Sequence, residues 1–401
     1  MALDGYRHAI FPTYSPPKIK FVEGRGAWLR AADGREYLDF IAGIAVNALG
    51  HCHPKLVEAL NEQASKLWHL SNMFDVPGQE ELAEIYCKHT FADAVFFTNS
   101  GAEAVECALK SARRYHYANG APERVDIIGF EGAFHGRTYA TINAAGNPKY
   151  VEGFGPRLPA YKQCKFGDLG ALAAMMGPET AAVIIEPVQG EGGLRALPVE
   201  MLTAMRKLCT ERGALLIYDE VQCGAGRTGK LFAHQWADNA EPDIMALAKG
   251  IGGGFPLGMC LATRAVSQTM VVGTHGTTYG GNALAVAVGR AVINEMLAPG
   301  FMDRVNAAAG KLREGLEQIA SQQPDKVIEV RGKGLLTGIR VKVPNTAVRD
   351  AARDRGLLVG VAGADVVRMA PPLIVSDKEI ARALDTLNEA VAATDLPPAK
   401  A

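Results

Sequence analysis

Two short apolar runs, each cut off by a charged residue, constrain the fold of this chain most. Ala214–Tyr218 stops at Asp219 and Glu220, and Ile244–Ala248 stops at Lys249, followed by Gly250 and by Gly252–Gly254. Apolar runs of this length bounded by turn formers read as strands rather than helices. Strands apolar at every position are buried on both faces, as in a parallel sheet covered by helices. An acid and a lysine then stand at the C-terminal ends of neighbouring strands, the edge where open α/β sheets bind ligands. A lysine placed there is partly desolvated, which lowers its pKa and makes its amine more nucleophilic. Taken singly, each feature also has an ordinary reading. A lysine after an apolar run reads as a strand end in solvent, and an Asp-Glu pair as a cap or turn.

The same alternation recurs along the chain. Ala94–Phe97 leads into Thr98–Glu103, Val125–Phe130 into Glu131–Thr138, and Ala181–Ile185 into the glycine-rich Glu186–Gly193. Helical patterns follow, up to about Ala118, over Pro198–Arg212 and over Ala283–Leu297. Strands that end in polar loops and alternate with helices predict an α/β fold with a mostly parallel sheet flanked by helices. Ser100 and Glu103 predict a capping box. The helix start beyond them exposes N–H groups that attract an anion by roughly 0.3–2 kcal/mol, although a plainly capped helix reads the same way. Phe134 suits stacking on a planar ring, and Arg137 suits a carboxylate; a glycine-rich loop with an ordinary surface arginine is the other reading. Gly224–Gly229 matches the G-x-G-x-x-G dinucleotide fingerprint, but Asp219 and Glu220 would repel a pyrophosphate there. An acid to hold a protonated ring nitrogen, together with a nucleophilic lysine, suits pyridoxal phosphate.

Three domains are expected. Residues 1–55 form an extended arm (Pro12, Pro16, Pro17) and a hairpin segment that packs with the small domain. Residues 56–300 form the large cofactor-binding domain, ended by Pro299-Gly300. Residues 301–401 form a small α+β domain. In the last, strands are expected near Val327–Arg331, over Leu335–Val341 and ending at Arg368. Its final helix is capped by Ser376 and Glu379, and the tail with Pro398 and Lys400 is frayed. His51, Cys52 and His53 do not predict a metal site, because successive residues of an extended segment face opposite ways and the three cannot converge.

The 42 basic and 43 acidic side chains nearly cancel, which argues against a nucleic-acid partner. No apolar run approaches a membrane span. The start lacks the charge and apolar pattern of a signal peptide. The seven cysteines show no Cys-x-x-Cys pairing, and the expectation is a cytoplasmic protein with reduced thiols.

Seven motifs occur in a fixed order: residues 99–104, 134–138, 186–193, 219–222, 248–256, 275–282 and 368–373. On these the chain resembles the class III pyridoxal-phosphate aminotransferases of fold type I over nearly its whole length. Ala283, where proline is expected after Asn282, is a small departure. The resemblance implies that Lys249 carries pyridoxal 5'-phosphate and shuttles the proton, that Asp219 pairs with the ring nitrogen, and that Glu220 beside it also belongs to the cofactor-binding set. It implies that Val221 and Phe134 flank the ring, that Gln222 contacts its phenolic oxygen, and that Ser100, Gly101 and Ala102 bind the phosphate. Thr278 would reach that phosphate from the partner subunit, implying a homodimer with shared sites. Arg137 and Thr277 would bind the donor's carboxylate, Arg368 the α-carboxylate of 2-oxoglutarate, and Glu191 would gate Arg368. Segments 40–51 and 273–279 point, within the family, to N2-acetyl-L-ornithine as amino donor. Ornithine, succinylornithine, 4-aminobutyrate and N-succinyl-diaminopimelate are alternative donors, and racemase or decarboxylase chemistry on the same scaffold is a remoter alternative.

Overall fold

Runs of four to six residues become the strands of a seven-stranded sheet. Across the sheet they lie in the order Ala94–Thr98, Gly258–Ala262, Ile244–Leu247, Leu215–Asp219, Thr180–Ile185, Asp126–Phe130 and Tyr161–Cys164. Gly258–Ala262 runs antiparallel to both its neighbours, and every other pairing is parallel. The sheet is therefore mostly parallel, as the alternation of elements implies. The antiparallel strand and the edge strand Tyr161–Cys164 are the two that the reading of the sequence overlooks. Gly258–Ala262 returns directly from the glycine turn after Lys249, a short connection that an antiparallel neighbour allows. This chain's structure, a computed structural model, describes residues 9–15 and 18–397. Residues 1–8, Pro16 and Pro17 of the expected arm, and Pro398 and Lys400 of the expected tail, lie outside them.

Thr180–Ile185 is buried at every position, so helices cover both faces of the sheet. On one face the helix Gly101–Ala118 buries Ala104, Val105, Ala108, Leu109 and Ala112, the three- and four-residue spacing of an amphipathic stripe. Small alanines let the helix axis approach the sheet, and a side chain such as Leu109 contributes about 1.5–3 kcal/mol through burial. Among the described residues no single helix is long and apolar enough to cross a membrane.

The hairpin strands Phe21–Arg25, Trp28–Ala31 and Glu36–Asp39 form a second sheet whose fourth strand is Leu357–Leu358, with Leu38 opposite Leu357 in parallel. Asp39 closes the turn after its strand: Oδ1 accepts from the Ile41 and Ala42 N–H groups at 2.9 Å each, and His51 Nε2 bonds Oδ2 at 2.8 Å. A third sheet is antiparallel and contains Val327–Lys333, Leu336–Val341, Val366–Met369 and Gly360–Ala362. The helices Phe301–Gln322 and Asp377–Ala392 pack on each other beside it, the latter with the expected Ser376–Glu379 box.

The Gly224–Gly229 loop joins these parts. Arg227, 2% exposed, donates to the carbonyls of Leu335 and Pro371, and its own carbonyl accepts from the Leu335 N–H at 2.9 Å. Burial lowers the guanidinium pKa to about 9. The fingerprint match is thus a structural joint.

Close packing makes one glycine sensitive. A Cβ on Gly129, in the strand Asp126–Phe130, would stand 2.2 Å from the Ala144 carbonyl oxygen of the helix Tyr139–Ala145. Backbone cannot rotate away as a side chain does. Gly129→Ala is expected to lose about 1–3 kcal/mol, measured as a lower urea midpoint at unchanged slope. An unchanged midpoint would show that the helix moves aside freely.

Candidate active site

Because the parallel strands share a direction, Thr98, Ile185, Asp219 and Leu247 all end on one edge of the sheet. The loops beyond them enclose a cavity of 470 Å³. Ser100, Gly101, Ala102, Phe134, Arg137, Glu191, Asp219, Val221, Gln222 and Lys249 all line it. Glu220, Thr277, Thr278 and Arg368 are not among its lining residues.

Asp219 is the last residue of its strand and sits opposite Ala246, three residues before Lys249. Its carboxylate is 3% exposed and held from two sides. Oδ1 accepts from the Val221 N–H at 3.0 Å, and His135 Nδ1 bonds Oδ2 at 2.7 Å. Burial disfavours a charged imidazole at His135, but the Asp219 hydrogen bond and charge outweigh it and raise the His135 pKa. His135 Nε2 is buried without a partner among the described residues. Beside them, Glu186 Oε1 accepts from the Phe134 N–H at 2.6 Å, and burial pushes the Glu186 carboxyl up to about 8. His135 and Glu186 are site residues that the reading of the sequence missed. Both lie inside the motifs at 134–138 and 186–193, next to residues that drew attention by their chemistry.

Lys249 begins a single tight turn, Lys249–Gly252, with φ +50°. For a residue with a side chain this left-handed backbone costs roughly 1–2 kcal/mol and persists only where surrounding packing enforces it. Burial lowers the Lys249 pKa, so its amine is more readily neutral than an ordinary lysine's.

The helix Gly101–Ala118 points its N-terminus into the cavity. Ser100 caps it by accepting from the Glu103 N–H at 3.3 Å. The reciprocal half of the expected box is shifted: Glu103 reaches past Ser100 to accept from the Asn99 N–H at 2.9 Å. Gly101 is required for packing, since a Cβ there would lie 2.7 Å from Val221 Cγ1. Arg137 is exposed at the mouth, its guanidinium 4.1 Å from the centre of the Tyr150 ring.

Arg368 reaches the wall of the site from the third sheet. It is 5% exposed, and its Nη1 donates to Glu191 Oε1 at 2.6 Å and to Gln222 Oε1 at 3.3 Å. Thr277 and Thr278 line a separate groove with Asn99 and Glu103. There Thr277 Oγ1 accepts from the Gly280 N–H at 3.0 Å. Glu220 turns away from the cavity: it is 1% exposed and accepts from the Ala233 and His234 N–H groups at 2.7 and 3.4 Å. Adjacent residues at a strand end face opposite ways, so the Asp219-Glu220 pair is split between site and scaffold.

The donor set fits pyridoxal phosphate. Free N–H groups at a helix start suit its phosphate. Phe134 and Val221 offer apolar walls, and the backbone approach permitted by Gly101 makes a cradle that a side chain would fill. A firmly held carboxylate suits a protonated ring nitrogen.

Comparison with known proteins agrees with this geometry. The aminotransferase class-III family profile matches residues 10–391. The acetylornithine aminotransferase of Brucella melitensis is 56% identical over 384 residues, covering 96% of this chain and 95% of that protein. Among solved structures, the N-acetylornithine aminotransferase of Stenotrophomonas maltophilia is similar with a TM-score of 0.83 at 39% identity, covering 95% of this chain and 97% of that one. The ornithine aminotransferase of Toxoplasma gondii is similar with a TM-score of 0.90 at 31% identity, covering 96% and 93%.

Burial pushes the Glu220 carboxyl up to about 8, against the opposing pull of its two backbone donors. A raised folded-state pKa means that folding takes up a proton. That stability is fully present below the unfolded pKa of about 4.3 and is lost as pH rises through about 8. Glu220→Gln mimics the protonated acid. Its melting temperature should match that of the parent at pH 4 and exceed it at pH 9, the gap opening steadily between. Equal melting temperatures at both values would mean that Glu220 is ionised in the fold throughout.

Proposed function

The chain belongs to the class-III aminotransferase family and is a pyridoxal-phosphate-dependent transaminase, and we propose that it moves the δ-amino group of N2-acetyl-L-ornithine to 2-oxoglutarate. N-Acetyl-L-glutamate 5-semialdehyde and glutamate are the products, a step of arginine biosynthesis. When bound, the cofactor supplies the electron sink for this exchange. Lys249 holds the cofactor and, its amine favoured neutral by burial, moves the proton at the reacting carbon. Asp219 keeps the ring nitrogen protonated, and His135 and the Val221 N–H hold Asp219 in place. Phe134, fixed by Glu186 through its backbone, walls the ring.

The observation that carries the reading is the Glu191–Arg368 pair. One pocket must accept two unlike substrates. The donor presents an amine on a methylene, with no carboxylate beside the reacting carbon, whereas 2-oxoglutarate presents one there. Arg368 paired with Glu191 is masked for the first, and displacing Glu191 frees it for the second. A largely buried ion pair gains little net stability, since desolvation offsets its Coulomb attraction, so the pair makes sense as a switch. Arg137 at the mouth receives the donor's carboxylate.

A homodimer with shared sites accompanies this reading. Trp68, Met73, Phe74, Val272 and Tyr279 are exposed apolar side chains, and Asn72 Nδ2 donates to the Thr277 carbonyl at 3.1 Å, tying the 68–74 segment to the Thr277-Thr278 loop. Exposed apolar surface of this kind marks an interface, and Thr278, turned away from its own cavity, is free to reach the partner's phosphate. The seven free cysteines are in keeping with a cytoplasmic setting.

The test of substrate is a panel of amino donors with 2-oxoglutarate ranked by kcat/KM, with acetylornithine expected first. Ornithine, succinylornithine, 4-aminobutyrate or N-succinyl-diaminopimelate ahead of it would overturn the assignment. In the same assay Glu191→Ala should speed the glutamate half-reaction relative to the acetylornithine one by about tenfold or more, or ~1.4 kcal/mol. Single-turnover cofactor absorbance with each donor reads this ratio, and an unchanged ratio removes Glu191 from the switch.

Shared sites are tested by mixing Lys249→Ala and Thr278→Ala chains. Heterodimers concentrate both lesions in one site and leave the other whole, so activity should rise above that of either parent. No rise despite heterodimer formation would refute the sharing.

A further inference from the structure

Arg137 lines the active-site cavity, yet it forms no ion pair among the described residues. Its guanidinium instead meets two rings. The carbon at its centre lies 4.1 Å from the middle of the Tyr150 ring and 5.5 Å from that of Phe134. The two rings meet edge to face, 5.7 Å apart at 89°. Phe134 is itself fixed through its N–H, which donates to Glu186 Oε1 at 2.6 Å. Rings attract a cation through their π faces. They take up none of its N–H donors, which an acidic neighbour would occupy while cancelling the charge. The charge and the donors of Arg137 therefore stay available to a carboxylate entering the cavity.

Tyr150 is half-buried on the short helix Pro148–Val151. Asn147 caps that helix by accepting from the Lys149 N–H at 3.1 Å, and Val151 is buried beneath it. Just before, Gly146 at φ +65° turns the chain out of the helix Tyr139–Ala145. Beyond Tyr150 the chain returns to the same helix, where the Leu158 N–H donates to Asn143 Oδ1 at 3.0 Å. Asn143 is buried and donates in turn to the Tyr139 carbonyl at 2.7 Å. The segment is thus tied at both ends. The ring it carries is a fixed surface on which the long, exposed Arg137 side chain rests.

We propose that Tyr150 is a positioning residue for the amino donor: its ring holds the Arg137 guanidinium where the donor's carboxylate arrives. The proposal rests on the reading of Arg137 as the receiver of that carboxylate. An exposed arginine without such a support samples many rotamers, and binding must arrest it at a cost in side-chain entropy. Held against Tyr150, Arg137 is arranged before the donor enters. The carboxylate it meets lies at the other end of the donor from the amine that reacts. The contact is therefore made alike in the ground state and the transition state. Losing it raises KM and leaves kcat near that of the parent.

The experiment measures kcat and KM for acetylornithine with the cofactor-loaded enzyme, in a cycle of Arg137→Ala, Tyr150→Leu and the double variant. Arg137→Ala should raise KM about tenfold or more, as expected for a lost charge-assisted contact. Tyr150→Leu should raise it about fivefold or more, in the range of a cation held on a ring, and change kcat by about twofold or less. The double variant should be no worse than Arg137→Ala alone, because the ring acts only through that cation. Tyr150→Phe keeps the ring and should stay within about twofold of the parent. N-Acetyl-L-norvaline carries the donor's carboxylate but has hydrogen in place of the δ-amino group. Its inhibition constant should follow KM in every variant, which reads the contact without turnover. A Tyr150→Leu enzyme with the parent's KM would overturn the proposal and leave Arg137 as the carboxylate site. So would single effects that multiply in the double variant, or a Tyr150→Phe loss as large as that of Tyr150→Leu. An Arg137→Ala enzyme with the parent's KM would overturn the proposal together with the reading of Arg137.

Discussion

The parallel pairing of Leu215–Asp219 with Ile244–Leu247 is the constraint on which the site depends. It sets Asp219 opposite Ala246 and so fixes how far the chain must travel before Lys249. The two strands are buried on both faces, and slipping their register would turn apolar side chains out of the core. The acid and the lysine are thus placed by the same packing that stabilises the sheet. The left-handed backbone at Lys249 is tolerated for this reason: neighbouring buried strands hold both ends of the turn.

Most of the large sheet was legible in the sequence because its strands are continuous apolar runs ended by glycine or charge, and burial enforces those ends. Asp219, taken from the sequence as the residue that stops a strand, is its last member. What was not legible depends on contacts distant in sequence. Nothing near Leu357 announces that it pairs with Leu38. Nothing in Asp-Glu says which carboxylate faces the cavity, since that follows from the register of a neighbouring strand. Ser100 caps the Glu103 N–H as expected, yet the Glu103 carboxylate takes its backbone N–H from Asn99, one residue further back, a difference set by how the loop enters the helix. His135 was hidden because its role is to hold another residue's carboxylate rather than to display chemistry of its own.

The buried carboxylates divide by partner. Asp219 is held by a side chain and a backbone N–H, Glu220 by two backbone N–H groups, and Glu186 by one. Burial raises Glu186 and Glu220 alike to about 8, although one lines the cavity and the other braces the Ala233–Trp236 turn. A raised pKa alone therefore does not mark a reacting group. Position relative to the strand end separates the two.

The Leu38–Leu357 pairing has a consequence for how the chain is made. During synthesis the edge of Glu36–Asp39 that will face Leu357 leaves the ribosome some 320 residues ahead of its partner. At roughly 5–20 residues per second that is on the order of 15–60 s. Throughout that time a row of backbone donors and acceptors stands open to any other extended segment. The nascent protein is therefore most exposed to misassembly at its beginning, although the large sheet can close without it. Closing that edge must be among the last events of folding, so it is the step at which a chaperone would have most to protect.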